Sequence, residues 1–471
     1  MSVKSLPLIN VEVEIDSVNH YYFIPGSFTI VEYKDGDAIS QTYNCLVRQR
    51  GKTALYLTKR SFAIKLVDEQ GEKLNADLLG LRNDNTWILD AMGIDHLRMR
   101  NRVCFDIWNE FSSTMWDTKF GNRNGIVGTM VEVFINGEYA GIYHLSDKIN
   151  RQLLNLRKAK EENEGGVTVK GVLYKGKSSG LSNALLDYEE DRTDTIKWNS
   201  FELQYPDDYP SLQSWQPLMD LIDFNGKTDM EYFQTHYNEW YYTENLVDYF
   251  ILLVAFGIDD MPYKNSFLST PDINFGHRFM ITPWDMDACM GRNCNGNPRN
   301  FTSQLSRLTP YGPFNRLVTY NIDGFKNLVA RRWEEIQDTY LSPTNLENHI
   351  IAIAQRYVES GAWHREYELW KDIPEEEDDR LVIDEDINEE IQYVMEWYLR
   401  NHTYMSKQFL RWHDDFVEPD AITATTITQI YNYLLGIDTE YDEKLDLNED
   451  GIINSSDITC GYNVIMGVIL E

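Results

Sequence analysis

The stretch LDLNEDGIINSSD near the end of the chain leaves its backbone few options. Asp446, Asn448 and Asp450 carry oxygen at alternate positions, and Gly451 follows them directly. Oxygens spaced this way converge only if the chain curls, and the sharpest bend needs a residue without Cβ. Ile452 then offers its carbonyl, Asn454 another oxygen, and Asp457 a closing carboxylate. Together they match the spacing of a loop wrapped around one Ca²⁺. The closing residue is Asp rather than the Glu of an EF-hand. A related loop leading into a helix is therefore expected.

Around Pro419 the composition shifts to a short Thr-rich and then Asp/Asn-rich run, which places a domain boundary near residue 415. Residues 415–471 resemble a type I dockerin, a module that repeats a calcium loop and a helix twice. ITATTITQIYNYLLG resembles the helix of the first repeat. Its loop is missing: EPDA stands where the ligands would be, and Thr426 where the last acid would be. The resemblance implies a small all-α domain holding one Ca²⁺. It also implies either a cohesin-type partner or packing of the tail on its own main domain.

Charge limits what the rest of the chain can bind. The 471 residues hold 43 Lys and Arg against 75 Asp and Glu, a formal net charge of −32. That field repels phosphate backbones and anionic membranes, so no nucleic-acid partner is expected. A nucleotide would have to arrive with a metal ion or meet a focused basic pocket. No apolar run approaches the ~18 residues of a membrane span; Phe250 to Gly257 is the longest. The N-terminal residues lack a signal-peptide core, which leaves either a cytosolic chain or one whose leader has been removed. Five cysteines do not make a disulfide scaffold, and Cys289 and Cys294 lack the second pair a zinc site needs.

Residues 1 to about 92 read as strands, with Phe62, Ile64 and Leu66 alternating against Ser61, Ala63 and Lys65. Residues 94–111 carry a helical period, and Asn136-Gly137 marks a hairpin turn. Residues 150–230 are mixed, residues 230–257 helical, and the remainder to about 412 mostly helical. The acidic run at 375–390 reads as a solvated face. The expected fold class is α+β.

Three segments carry residues suited to chemistry. Lys59 and Lys65 on the polar face of a strand can hold phosphates as point charges. In GIDDMPYKN, Asp260 precedes Asn265 by the spacing of a kinase base and its metal-binding Asn. In PWDMD, Asp285 and Asp287 lie on one side of a strand or straddle a turn.

With these residues the chain resembles the CotH family, the spore-coat-H-like atypical protein kinases. RGKTALYLTKRSFAIKL, VFINGEYAGIYHLSDKIN, DDMPYKNSFLS and MITPWDMDACMGRN carry the resemblance. It implies a two-lobed kinase-like domain over 1–414, with a strand-rich lobe at about 1–147 and a mostly helical one at 148–414. ATP with Mg²⁺ or Mn²⁺ would sit between them, and the acceptor would be a protein Ser or Thr. Carried over, Lys65, Lys59 and Arg50 would meet the phosphates and Asp147 would lie near the adenine. Asp260 would be the base, preferred over Asp259 by its spacing, and Asn265 and Asp285 would hold the metal. An extracellular or surface location is implied. Two alternatives stay open. One is a degenerate scaffold, suggested by the bulk of Lys52-Thr53-Ala54-Leu55. The other is a carbohydrate-active enzyme using Asp285-x-Asp287 as a DxD metal site.

Overall fold

The computed structural model describes residues 5–34, 37–51, 53–117, 121–162, 166–177, 184–188, 200–258, 264–276, 278–299, 312–373, 379–414, 424–448 and 451–465. The chain divides into two compact units, Met1–Asp414 and Asp415–Glu471.

The first unit begins with a closed barrel. β1 (Leu8–Val13), β2 (Ile24–Lys34), β3 (Asp37–Arg50), β4 (Ser61–Val67) and β5 (Thr86–Asp90) follow one another around it. β7 (Glu138–Ser146) and then β6 (Gly128–Ile135) close the circle, with β6 running parallel to β1. Alternation sets the register: Phe62, Ile64 and Leu66 point inward with Val47, Leu89, Val133 and Leu145. Each such side chain withdrawn from water contributes about 1.5–3 kcal/mol, and a one-residue slip would turn the set outward. Asn136 and Gly137 form the β6–β7 turn with φ of 52° and 80°, the left-handed pair that a two-residue hairpin requires.

α1 spans Arg100–Phe111, six residues shorter at its start than the helical period predicts. The Asp95 carboxylate accepts the backbone N–H groups of Leu97, Met99 and Arg100 at 2.9, 2.7 and 2.7 Å. Arg98 takes a left-handed φ of 54°. The preceding segment is thus a capped turn rather than another turn of helix.

Beyond the barrel, β8 (Lys160–Glu161) and β9 (Val167–Thr168) form a short hairpin. A second antiparallel sheet has the order β11 (Phe201–Tyr205), β10 (Val172–Gly176), β12 (Ser266–Thr270), β13 (Met280–Pro283). α2 (Leu212–Lys227), α3 (Met230–Trp240) and α4 (Thr243–Ala255) lie between β11 and β12 in the chain. α4 is buried from Asn245 to Ala255. α5 (Phe314–Leu317), α6 (Phe325–Ile336), α7 (Pro343–Glu359), α8 (Ala362–Trp370) and α9 (Ile387–Leu410) complete the unit. The acidic run is not wholly solvated. Glu390, on α9, is buried and pairs with Arg100 at 2.5 Å and with Arg292.

The second unit holds α10 (Ala424–Leu434) and α11 (Ser455–Ile465) around Ile427, Ile430, Leu445, Ile453 and Ile458. No described helix is long and apolar enough to cross a membrane.

Candidate active site

Strand β13 ends at Pro283, and its position is fixed from two sides. Asn245 of α4 accepts the Ile281 N–H at 2.7 Å and donates to the Ile281 carbonyl at 3.0 Å. Asn124 donates to the same carbonyl at 3.0 Å and accepts from the Thr282 hydroxyl. Just beyond this strand end, Asp285 takes φ of 57°. A non-glycine residue in the left-handed region is uncommon and costs of order 1–3 kcal/mol. The backbone therefore turns at Asp285 instead of running on, and the two carboxylates of PWDMD straddle a turn.

The adjacent strand brings Asn265 to the same place. Ser266 of β12 pairs with Pro283, and the Asn265 carbonyl accepts the Trp284 N–H at 2.9 Å. The two residues proposed from sequence as metal ligands thus stand at neighbouring strand ends. Asp90, at the end of β5, is also close. Desolvation, with the charges of Asp285, Asp90 and Asp95, pushes the Asp287 carboxyl well above the usual range. Among the described residues no group of three or more His, Cys, Asp or Glu forms a complete metal cage.

Lys175 and Arg50 lie within electrostatic reach of these acids, and Lys148, then Lys65 and Arg48, lie within reach beyond them. Arg48 and Arg50 come from β3, Lys65 from β4, Lys148 follows β7, and Lys175 is on β10. Arg48 and Lys65 both lie over the Phe23 ring, at 4.6 and 4.4 Å. Arg50 lies 5.5 Å from the Trp284 ring and 4.0 Å from Asp90 Oδ1. Lys175 Nζ is 5.4 Å from the same Trp284 ring. Partial withdrawal from water and the charge of Arg50 pull the Lys175 ammonium down to about 8, against the pull of Asp285 and Glu202. Lys65 is lowered by desolvation and by Arg48 and Lys73. Lys148 is lowered by desolvation and, more weakly, by Lys65 and Arg48, while Glu202 and Asp207 oppose the shift. Burial is the larger cause at each lysine, neighbouring cations add to it, and the Asp285, Glu202, Asp207 and Asp208 carboxylates oppose it.

Two sequence expectations are corrected here. Lys59 does not share the open face of β4. It precedes the strand and is fully buried, donating to Glu366 Oε1 at 2.5 Å and to the Ile142 carbonyl at 2.7 Å. Arg98 shares Glu366 at 2.7 Å, and the Ile142 N–H donates to Glu366 Oε2 at 2.7 Å. The second correction concerns Asp147, whose carboxylate is buried and taken up by protein groups. Its oxygens accept Arg82 Nε at 2.8 Å and the Val127 N–H at 2.9 Å, with Arg123 at 3.5 Å. Asn265 and Asp285 stand at neighbouring strand ends and Arg50 lies against the Trp284 ring between them and Asp90, whereas Lys65 lies over Phe23 with Arg48 and Lys73 as its charged neighbours; Asp260 and Asp259 lie outside the described residues.

Lys148 and Lys175 escaped the sequence reading. Lys175 did carry a signal, as a lone charge inside the apolar strand VLYKG. The Asn-Gly-x-Tyr-x-Gly-x-Tyr piece proves to be structural. Tyr139 donates to Glu132 at 2.9 Å, Tyr143 donates to the Arg60 carbonyl at 3.0 Å, and a Cβ on Gly141 would fall 2.2 Å from Glu366.

In the second unit, Gly451 takes φ of 83° and its N–H donates to Asp446 Oδ2 at 2.7 Å, as the turn of a ligand loop demands. Asp457 is buried and accepts the N–H groups of Leu447, Asn448 and Asn454 at 2.8, 3.2 and 2.7 Å. Asn454 donates to the Ile452 carbonyl at 3.1 Å, and Asp450 lies outside the described residues.

No curated protein matches the sequence. The family model described as CotH kinase protein matches residues 47–405, a span that includes Arg50, Lys65, Lys175, Asn265 and Asp285. The chain belongs to the CotH kinase protein family.

Proposed function

We propose that the first unit is a protein kinase that transfers the γ-phosphoryl group of ATP to a Ser or Thr hydroxyl of another protein. The placement of Lys175 and Arg50 against the turn that carries Asp285, with Lys148, then Lys65 and Arg48, within electrostatic reach beyond them, supports this reading, because it gathers cations in a chain of net charge −32. Lysines at this spacing hold phosphates as point charges, and the two arginines add fixed, planar donors. Asn265 and Asp285 would hold Mg²⁺ or Mn²⁺. The ion would offset charge on the phosphate oxygens. Asp260 is assigned as the base that orients and takes up the acceptor hydroxyl's proton, by its spacing to Asn265.

The second unit is proposed as a dockerin-like module binding one Ca²⁺ through Asp446, Asn448, Asp450, Ile452, Asn454 and Asp457. It would attach the kinase to a cohesin-type partner at the cell surface or outside the cell, or pack on its own main domain.

Incubating the chain with labelled ATP and Mg²⁺ or Mn²⁺ tests the kinase reading through self-labelling or labelling of an added protein. Asp260→Ala is expected to keep ATP binding and lose transfer. Labelling at the parent rate in Asp260→Ala with none in Asp259→Ala would move the base by one residue.

A further inference from the structure

A cavity of about 1050 Å³ opens at the opposite end of the β10–β12 ladder from Asp285, beside Thr270. At ~3.3 Å per strand residue, Pro271 at its edge stands about 20 Å from Asn265. Four of its fifteen lining residues are Lys or Arg, in a chain with 43 such residues in 471.

How these cations are held indicates what they receive. Arg157 lies 4.9 Å over the exposed Phe275 ring while its Nη1 meets Asp272 at 3.2 Å. Arg278 lies 5.7 Å over Tyr242. A guanidinium stacked on a ring keeps its N–H edges free to fork onto a carboxylate. It also covers the aromatic face, which argues against a sugar stacked there. Among the described residues, Arg151, Lys158 and Arg278 form no ion pair. Asp117 and Glu239 also line the cavity, leaving a local excess of one positive charge inside a strongly negative molecule. Arg151, Arg157 and Lys158 come from one short segment and Arg278 from another, around a space at the upper end of the ~300–1000 Å³ of a small-molecule pocket. Several anionic groups in a row satisfy that layout better than one.

We propose that this cavity binds an Asp- or Glu-rich polypeptide segment, and that the segment belongs to the phosphoacceptor. The acceptor assignment rests on the kinase reading above, whereas the binding of an acidic segment does not.

The test is fluorescence anisotropy of a labelled octaglutamate peptide on the intact chain, run alongside Mg²⁺-ATP binding on the same preparations. Octaglutamate is expected to bind, and to bind more weakly as salt screens the exposed charges. Arg278→Glu and Lys158→Glu should each weaken it at least tenfold. Both side chains are exposed, so melting temperature and ATP affinity should hold. Arg50→Gln should leave octaglutamate binding unchanged. Four results would overturn the proposal: no octaglutamate binding, equal binding in both charge-reversed variants, loss in Arg50→Gln, or full competition by free glutamate at equal carboxylate concentration. Octaglutamate binding that depends on Arg278, in a chain that binds no ATP, would keep the cavity and remove the kinase reading.

Discussion

The Asn265 carbonyl accepts the Trp284 N–H at 2.9 Å, which fixes Asn265 beside the turn that carries Asp285. They are twenty positions apart in sequence. One hydrogen bond beyond the last β12–β13 pair is enough to make them neighbours, since Ser266 already pairs with Pro283. The kinase reading depends on this juxtaposition and on the cations facing it.

Lys175 is expected to contribute to phosphate binding. Lys175→Met should weaken ATP binding at least tenfold, about 1.4 kcal/mol, as calorimetry would measure. The sign of the pH dependence follows from its depressed ammonium. Only the protonated form attracts phosphate, and in the free protein that form is lost as pH rises through about 8. ATP affinity should therefore fall above that pH and proton uptake should accompany binding there. Both effects should shrink in Lys175→Met.

Lys59 is expected to matter for stability rather than for nucleotide. Glu366→Gln would leave Lys59 and Arg98 buried without a counter-charge, a loss of about 3–5 kcal/mol. Gly141→Ala would drive a methyl into the Glu366 carboxylate. Both should lower the melting temperature sharply, and Lys59→Met should lower it less because Arg98 still faces Glu366. A Lys59→Met protein with parental melting temperature but lost ATP binding would return Lys59 to the phosphates.

Calcium is expected at one ion per chain. Asp446→Ala removes both a proposed ligand and the acceptor of the Gly451 N–H, so it should abolish binding. Equilibrium dialysis against labelled Ca²⁺ measures the stoichiometry. Two ions at saturation would mean that a second site exists outside this loop.

Local pattern carried much of the fold. The alternation around Phe62, Ile64 and Leu66 set the barrel face, Asn136-Gly137 set its hairpin, and the oxygens around Gly451 set the terminal loop. The sequence signal failed where charges are buried by distant partners. Glu366 meets Lys59 across 307 positions and Glu390 meets Arg100 across 290, and no local period marks either. Lys59 fitted the two-residue alternation of β4, yet the chain bends before Ser61, and Glu366 takes the side chain into the interior. Lys148 and Lys175 reach the site only because the barrel and the second sheet are brought together, which periodicity within either cannot encode.

Calorimetric titration with Mg²⁺-ATP on the parent chain and on Asp285→Ala tests the central claim most directly. The parent should bind, because Lys175 and Arg50 stand beside the turn of Asp285, the proposed metal ligand. Asp285→Ala should lose most of that binding, since the phosphates then arrive without a held ion. Equal affinity in the two proteins, or no binding to a folded parent chain, would contradict the assignment of this cleft to nucleotide.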